Sequence, residues 1–213
     1  MASASTRGIQ QAGGPEARQR ILDAAFAVFA DRGYAQAGTL EIATRAKVSK
    51  RDLYALVGKK EDMLIACISE RAARLKWPRD IPPPRDRGTL AEGLERFGHH
   101  LLREVTDPAV ISVFRLAIAE AERAPDVART LENVGRTAAR DALTGLFTHA
   151  KATGLVEGDP AEMARRFSAL LWEDLMVGLL LRVVERPTGA ALNQRAIDAT
   201  AAFLRLYAPA GPA

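Results

Sequence analysis

The chain has 213 residues, of which 48% are hydrophobic and 26% are charged, values typical of a soluble globular protein with one or two domains. Its single cysteine, Cys67, excludes an intramolecular disulfide and a cysteine-based metal cluster, and it favours a cytoplasmic location. Residues 1–78 contain thirteen Lys and Arg against eight Asp and Glu, whereas residues 79–213 are nearly neutral. A basic end on a neutral body indicates contact with a polyanion such as DNA, and a chance distribution of a few charges is the alternative.

The first elements in chain order are predicted to be a flexible arm followed by helices. Residues 1–14 are small, polar and rich in glycine, which predicts a mobile arm. Apolar residues then recur at helical spacing up to Gly33, a candidate for the end of the first helix. Thr39 and Ser49 are candidate N-caps of two short helices, and a longer helix is predicted over 59–77.

Helices of unequal length, the second and third joined by a tight turn, form a helix-turn-helix plan over residues 15–62. Burial of the apolar side chains would turn Tyr54 inward and leave Lys50, Arg51 and Asp52 pointing outward. The N-terminal end of such a helix enters the DNA major groove, where Lys and Arg contact phosphates or guanine. Two interpretations of Asp52 are open, because it could accept a hydrogen bond from cytosine N4 or only orient Lys50 or Arg51.

Three segments within residues 18–65 resemble the DNA-binding domain of the TetR family of transcriptional repressors, namely ILDAAFAVFADRGY, TLEIATRAKVSKRDLY and KKEDML. The resemblance implies a ligand-responsive repressor that binds double-stranded operator DNA as a homodimer. It also implies that the recognition helix carries Ser49, Lys50, Arg51, Asp52 and Tyr54, and that Thr39 and Lys60 touch the phosphate backbone. We assign Lys47 and Lys59 to the same interface.

The sequence departs from the family pattern at three positions. Lys47 stands where the turn usually has glycine, so a non-glycine residue is expected to adopt a left-handed conformation. Val57 replaces a usual aromatic residue, and Gly58 replaces a usual polar capping residue. These departures keep a second interpretation open, in which the protein is a helical protein-binding adaptor that has lost DNA binding.

The remainder of the chain is predicted to be helical as well, so the expected fold is all-α. A connecting helix over 63–77 and a proline-rich linker over 78–88 precede a regulatory and dimerisation domain over 89–208, which resembles the regulatory domain of the same family. Prolines and glycines divide this domain into long helices predicted at roughly 89–106, 108–123, 126–153, 160–186 and 189–207. No stretch shows the alternation typical of strands.

The regulatory domain is expected to hold a small-molecule effector, as the resemblance implies. Apolar bundles with a few polar groups are common small-molecule sites, and the candidate residues are Phe97, His100, Leu101, Phe114, Phe147, Trp172 and Met176. The alternative, that these side chains only pack a core, is also open.

The segment 167–184 is apolar nearly all round, although an ordinary surface helix needs only one apolar stripe. Because both faces of this segment are apolar, one face is predicted to pack on the core of its own subunit and the other on the same helix of another subunit. The candidate interface residues are Leu171, Leu175, Gly178, Leu179, Arg182, Ile197, Ala201 and Leu204. A helix that is simply central within one subunit is the alternative. The charged residues in this segment argue against a membrane span.

No arrangement of residues points to catalysis. The sequence has no glycine-rich phosphate loop, no evident Ser/His/Asp set and no His/Cys set at metal-ligand spacing. We therefore expect a protein that is not an enzyme and that has no cofactor and no metal site.

Overall fold

The computed structural model describes residues 14–78, 80–122 and 125–209. The predicted arm over 1–14 lies outside the described residues, apart from Gly14. Within the described ranges the chain forms helices joined by turns, without a strand. The all-α prediction is therefore confirmed.

The N-terminal helices match the predicted order. They are α1 (Gly14–Gln36), α2 (Thr39–Ala46), α3 (Lys50–Leu56) and α4 (Lys60–Ala72), with a 3₁₀ turn over Ala73–Leu75. Gly33 adopts φ 75° and ψ 167°, a conformation that glycine tolerates without steric cost. It kinks α1 near its predicted end, and one further helical turn follows.

The C-terminal helices are more broken than the periodicity predicts. They are α5 (Arg87–Val105), α6 (Pro108–Ala119), α7 (Pro125–Thr130), α8 (Thr137–Ala152), α9 (Pro160–Trp172), α10 (Leu175–Leu181) and α11 (Gly189–Leu206). The helix predicted over 126–153 is interrupted by a π-helical segment at Leu131–Arg136. The helix predicted over 160–186 is also wrong as a single element, because Glu173 leaves the helical region at φ 41° and ψ −121°.

The contacts divide the chain into two compact units. The first unit comprises the chain up to Arg71 together with Ser112–Leu131, and the second comprises Ala72–Ile111 together with the chain from Glu132 onward. In the first unit, α1 packs against α2 and α3 around buried side chains such as Phe29, Ile42 and Leu53. These contacts support the short third helix, which is too short to be stable alone.

The second unit has a core built on α5, α8, α9 and α11. Phe147, Phe167 and Phe203 are fully buried there, with ring centroids 4.7–6.3 Å apart. Gly98 lets α5 approach closely, since a Cβ at this position would lie 3.1 Å from Leu171 Cδ1 and 3.3 Å from Ala196 Cβ.

Arg87, at the start of α5, fixes the ends of two other segments of this unit. Its guanidinium donates to the carbonyl oxygens of Leu155 at 2.8 Å and Leu204 at 2.7 Å. The contact with Leu204, near the end of α11, shows that α5 and α11 run antiparallel.

Asp86 caps α5 with a reciprocal pair of hydrogen bonds. The backbone N–H of Thr89 donates to Asp86 Oδ1 at 2.7 Å, and Thr89 Oγ1 accepts from the Asp86 N–H at 3.1 Å. Hydrogen bonds from the Thr89 backbone and hydroxyl hold the pKa of Asp86 below its ordinary value. The ionised carboxylate therefore stabilises the fold above the ordinary carboxyl pKa of about 3.9, and this contribution is lost as the pH falls through the lower folded-state value.

We expect Asp86→Asn to lower the melting temperature at pH 7 and to matter less at pH 3. Asparagine still caps a helix but cannot ionise, so this variant keeps the capping hydrogen bond and removes only the charge. Thermal unfolding of both proteins at the two pH values measures the effect. If Asp86→Asn lowers the melting temperature by the same amount at pH 7 and at pH 3, the charge of Asp86 does not contribute to stability.

No helix in the described part of the chain is both long and apolar enough to cross a membrane. The same residues contain no group of three or more His, Cys, Asp or Glu side chains that could hold a metal ion.

Candidate nucleic-acid interface and effector region

The turn between α2 and α3 has the geometry that the sequence predicts. Lys47 adopts the left-handed conformation at φ 56° and ψ 44°, so that prediction is confirmed. The N–H of Lys47 donates to the Thr44 carbonyl at 3.2 Å, and that of Val48 donates to the Ala43 carbonyl at 3.0 Å. These bonds satisfy the last carbonyls of α2 and offset the strain of a non-glycine residue at this position.

Ser49 fixes the start of α3, as predicted. Its Oγ accepts from the Asp52 N–H at 3.0 Å and donates to Asp52 Oδ2 at 2.6 Å. Lys50 and Arg51, the next two residues, are exposed. Asp52 is held by Ser49, an arrangement that neither sequence-based interpretation of this carboxylate included.

The start of α2 differs from the prediction. Gly38, not Thr39, occupies the N-cap position, and Thr39 is the first helical residue. Its hydroxyl lies 3.3 Å from the hydroxyl of Tyr54 on α3. The inward orientation predicted for Tyr54 is wrong, since this side chain is 43% exposed. Neighbouring positions on a helix point in different directions, and Leu53 takes the buried one.

Lys60 is turned toward the end of α1. Its ammonium donates to the carbonyl oxygens of Tyr34 at 2.5 Å, Ala37 at 3.2 Å and Ala35 at 3.4 Å, and it lies 4.4 Å from the centre of the Tyr34 ring. A lysine has three N–H donors, so these carbonyls engage all of them. Burial lowers the pKa of Lys60. The predicted contact of Lys60 with a phosphate would require these hydrogen bonds to break. We therefore expect Lys60 to stabilise the fold and not to contact DNA.

Lys59, the neighbouring residue, is exposed. We expect Lys60→Met to reduce the free energy of unfolding by about 1.5–3 kcal/mol, the range for hydrogen bonds to a charged group. We expect Lys59→Met to leave stability unchanged. It should reduce the slope of log DNA affinity against log salt concentration by about one, as for one lost phosphate contact. Urea unfolding and affinity measurements over a salt series separate the two roles. If Lys60→Met has normal stability and a reduced salt slope, Lys60 contacts a DNA phosphate after all.

Gly58, one of the two unusual residues after α3, also has a structural explanation. Gly58 adopts φ 107°, and a Cβ there would lie 2.5 Å from Asp62 Oδ2. The same carboxylate oxygen accepts from the Lys59 N–H at 2.7 Å and so caps the start of α4. Because the departures at Lys47 and Gly58 leave the helix-turn-helix intact, they give no support to an adaptor that has lost DNA binding.

The candidate effector residues differ in burial and are divided between the two units. Phe97, Leu101 and Phe147 are buried in the core of the second unit, whereas Phe114 is half-buried and belongs to the first unit. His100 is half-buried, with Nε2 2.7 Å from the Arg74 carbonyl oxygen. Trp172 and Met176 are half-buried against the second unit's core.

The predicted dimer residues separate into two groups, and one group requires a correction. Leu171, Leu175, Gly178 and Leu179 are buried within the chain's own core, so a partner cannot contact them without rearrangement. Arg182 and Ala201 are exposed, and Ile197 and Leu204 are half-buried. The exposed apolar side chains in this region are Val177, Leu181, Val183 and Val184.

Gly178 serves a chain reversal within this subunit. The N–H groups of Val183 and Val184 donate to the Gly178 carbonyl at 3.1 and 3.3 Å, and Arg182 adopts a left-handed φ of 60°. A Cβ on Gly178 would lie 2.7 Å from Val184 Cγ2. A side chain at position 178 would therefore crowd Val184 in the turn after α10.

An open cleft of about 570 Å³ lies beside α9 and α11 in the second unit. Its lining includes Leu170, Ala191, Gln194 and Ala202. Glu173 and Arg195 also line it and form an ion pair at 3.0 Å. The lining includes none of the candidate effector residues.

Comparison with known proteins identifies both halves of the chain. The profile of bacterial regulatory proteins of the tetR family matches residues 21–67, and that of the AefR-like transcriptional repressor C-terminal domain matches residues 92–209. The second match alone covers more than half of the chain.

The chain belongs to the TetR family.

Solved structures agree with this assignment. A TetR-family transcriptional regulator from Mesorhizobium loti MAFF303099 is 26% identical, with a TM-score of 0.77, over 91% of this chain and 98% of the other. A TetR transcriptional regulator from Agrobacterium tumefaciens is 30% identical, with a TM-score of 0.75, over 89% and 94%. The flavonoid-responsive regulator FrrA is 26% identical, with a TM-score of 0.70, over 91% and 97%. No match was found among curated protein sequences.

These findings confirm the predicted function as a transcriptional regulator of the TetR family, and a repressor role fits the family. TetR-family regulators bind operator DNA, function as dimers and bind small molecules. The family is one of transcriptional regulators.

Proposed function

We propose that this TetR-family regulator is a homodimeric cytoplasmic repressor that binds a palindromic operator through α3 and is released by a small, largely apolar effector. The observation that carries the DNA-binding part is the recognition helix itself. Ser49 caps α3, and Lys50 and Arg51 follow it exposed on the first helical turn. This is the end of the helix that meets base edges in the major groove.

Groups on either side of α3 would hold it in register on the DNA backbone. In the pair formed by the hydroxyls of Thr39 and Tyr54, the hydroxyl that accepts from the other can donate to a phosphate oxygen. Lys47 and Lys59 are exposed cations near the two ends of α3. Phosphate contacts position a protein on the duplex without reading sequence. Base specificity would then depend on α3, with Arg51 as the residue best suited to bidentate contact with guanine.

The dimer would form through the exposed apolar surface of the second unit. Val177 and Leu181 on α10 and Val183 and Val184 after it present apolar side chains to solvent, a contiguous arrangement that marks interaction sites more often than single exposed residues do. Arg182 and Ala201, from the predicted interface, are also exposed. A two-fold dimer would match a palindromic operator, because each subunit reads one half-site.

The effector would act on the core of the second unit. Phe97, Leu101 and Phe147 are sealed from solvent here, so a ligand that contacts them must bind a different conformation. Such a ligand shifts the population toward the state that it binds better, and release follows if that state cannot hold DNA. The similarity to the flavonoid-responsive regulator FrrA supports a flat aromatic molecule as the first class to test.

Selection of duplexes from a random pool by the purified protein tests the proposed function. We expect an enriched palindrome whose half-sites are separated by about one helical turn. Addition of flavonoids to the bound duplex then tests induction. Failure to enrich any sequence would contradict operator recognition, and ligands that bind without changing DNA affinity would contradict induction.

A further inference from the structure

Leu40, the second residue of α2, is a large apolar side chain that is 67% exposed. The other apolar positions of this short helix, including Ile42, Ala43 and Ala46, are buried against the rest of the first unit. A single exposed leucine is common on protein surfaces, so its surroundings must show whether this one has a partner.

Leu40 begins an exposed stripe that leads to the recognition helix. Leu40 and Thr44 are exposed and lie four positions apart, the spacing of one helix face. The exposed Lys47 follows them directly after the end of α2. Lys47 forms the turn into α3. The hydroxyls of Thr39 and Tyr54, 3.3 Å apart, join the start of α2 to the exposed side of α3.

The charged side chains of α2 are turned away from this stripe. Glu41 pairs with Arg32 at 3.8 Å, and Arg45 pairs with Asp31 at 3.4 Å, so both are directed toward α1. The Thr44 hydroxyl donates to the Leu40 carbonyl at 2.9 Å. The stripe is therefore apolar at its start and positively charged at its end, with no carboxylate on it.

We propose that Leu40 contacts the C5-methyl group of a thymine in the operator and so contributes to base specificity. This inference depends on the proposed operator binding. The methyl group of thymine is the apolar feature of the major-groove edges, and aliphatic side chains recognise it by direct contact. Lys47, Lys50 and Arg51 supply the charge that brings the DNA phosphates to this surface.

The test uses the duplex selected by the wild-type protein from a random pool. Each thymine is replaced in turn by deoxyuridine, which lacks only the C5-methyl group. We expect the wild-type protein to lose about fourfold in affinity at one thymine of each half-site, the factor for one buried methyl-sized group. Leu40→Ala should bind the thymine and deoxyuridine duplexes equally at that position.

Leu206→Ala is the matched control, because it removes the same atoms from a leucine that is 61% exposed on α11. This variant should respond to deoxyuridine as the wild-type protein does. Equal melting temperatures of the variants and the wild-type protein show that folding is unaffected. The proposal is overturned if Leu40→Ala keeps the full wild-type loss at every thymine, or if the wild-type protein loses nothing at any. Failure to select a duplex would instead overturn operator binding itself.

Discussion

Replacement of Arg51 by alanine is expected to weaken binding to the selected operator by about 5- to 150-fold for each half-site. A bidentate arginine–guanine contact is worth about 1–3 kcal/mol of discrimination. Arg51 is exposed on the first turn of α3, and Ser49 fixes the backbone from which it projects. Loss of the contact should relax the preference at one base pair and leave the preference at other positions intact. Repeated selection with the variant, followed by affinity measurements, checks this expectation.

Arg51→Lys is the control that separates base recognition from charge. Lysine keeps the positive charge but cannot form the planar two-bond contact. We expect this variant to retain the salt dependence of the wild-type protein and still to lose the preference at the same base pair. Equal weakening by Arg51→Ala on all duplexes, with no change in the selected sequence, would show that Arg51 contacts only phosphate.

Leu181→Arg is expected to convert the dimer into monomers and to reduce operator affinity by about 10²- to 10⁴-fold. Leu181 is 67% exposed on α10, so arginine fits there in the monomer but places a charge within the proposed interface. DNA affinity falls because two linked recognition helices bind the operator more tightly than one, by a factor of this size. Light scattering and operator binding measure the two effects.

Two comparison variants make this result specific. Ile118→Arg introduces the same charge at an apolar position that is 62% exposed on α6, and the protein should remain a dimer. Leu179→Arg places the charge at a position that is only 5% exposed and packed in the core, and it should destabilise the fold itself. A dimeric Leu181→Arg protein would show that the interface lies elsewhere.

Local patterns in the sequence determined much of the DNA-binding region. Helical periodicity and turn residues predicted α1 to α4, and Ser49 was recognised as a cap because its hydrogen-bond partner is only three residues away. The left-handed conformation of Lys47 followed from the turn in which it lies. These features depend on residues that are near neighbours in the chain, so the order of the residues carries the information.

The tertiary structure decided which way several side chains point. The three carbonyl partners of Lys60 lie 23 to 26 residues earlier, and no local pattern distinguishes this lysine from the exposed Lys59. Tyr54 and Leu53 are both apolar enough to be buried, but only the position of Leu53 faces α1 and α2.

The same limit applies to the apolar segment after α9. Its composition predicted one helix with two covered faces, whereas the chain breaks at Glu173, whose carboxylate pairs with Arg195, 22 residues later. Around this break Leu171, Leu175 and Leu179 face the core, whereas Val177 and Leu181 face solvent. Hydrophobicity established that this segment must be covered, but the division between core and surface arises from the packing of helices that are distant in sequence.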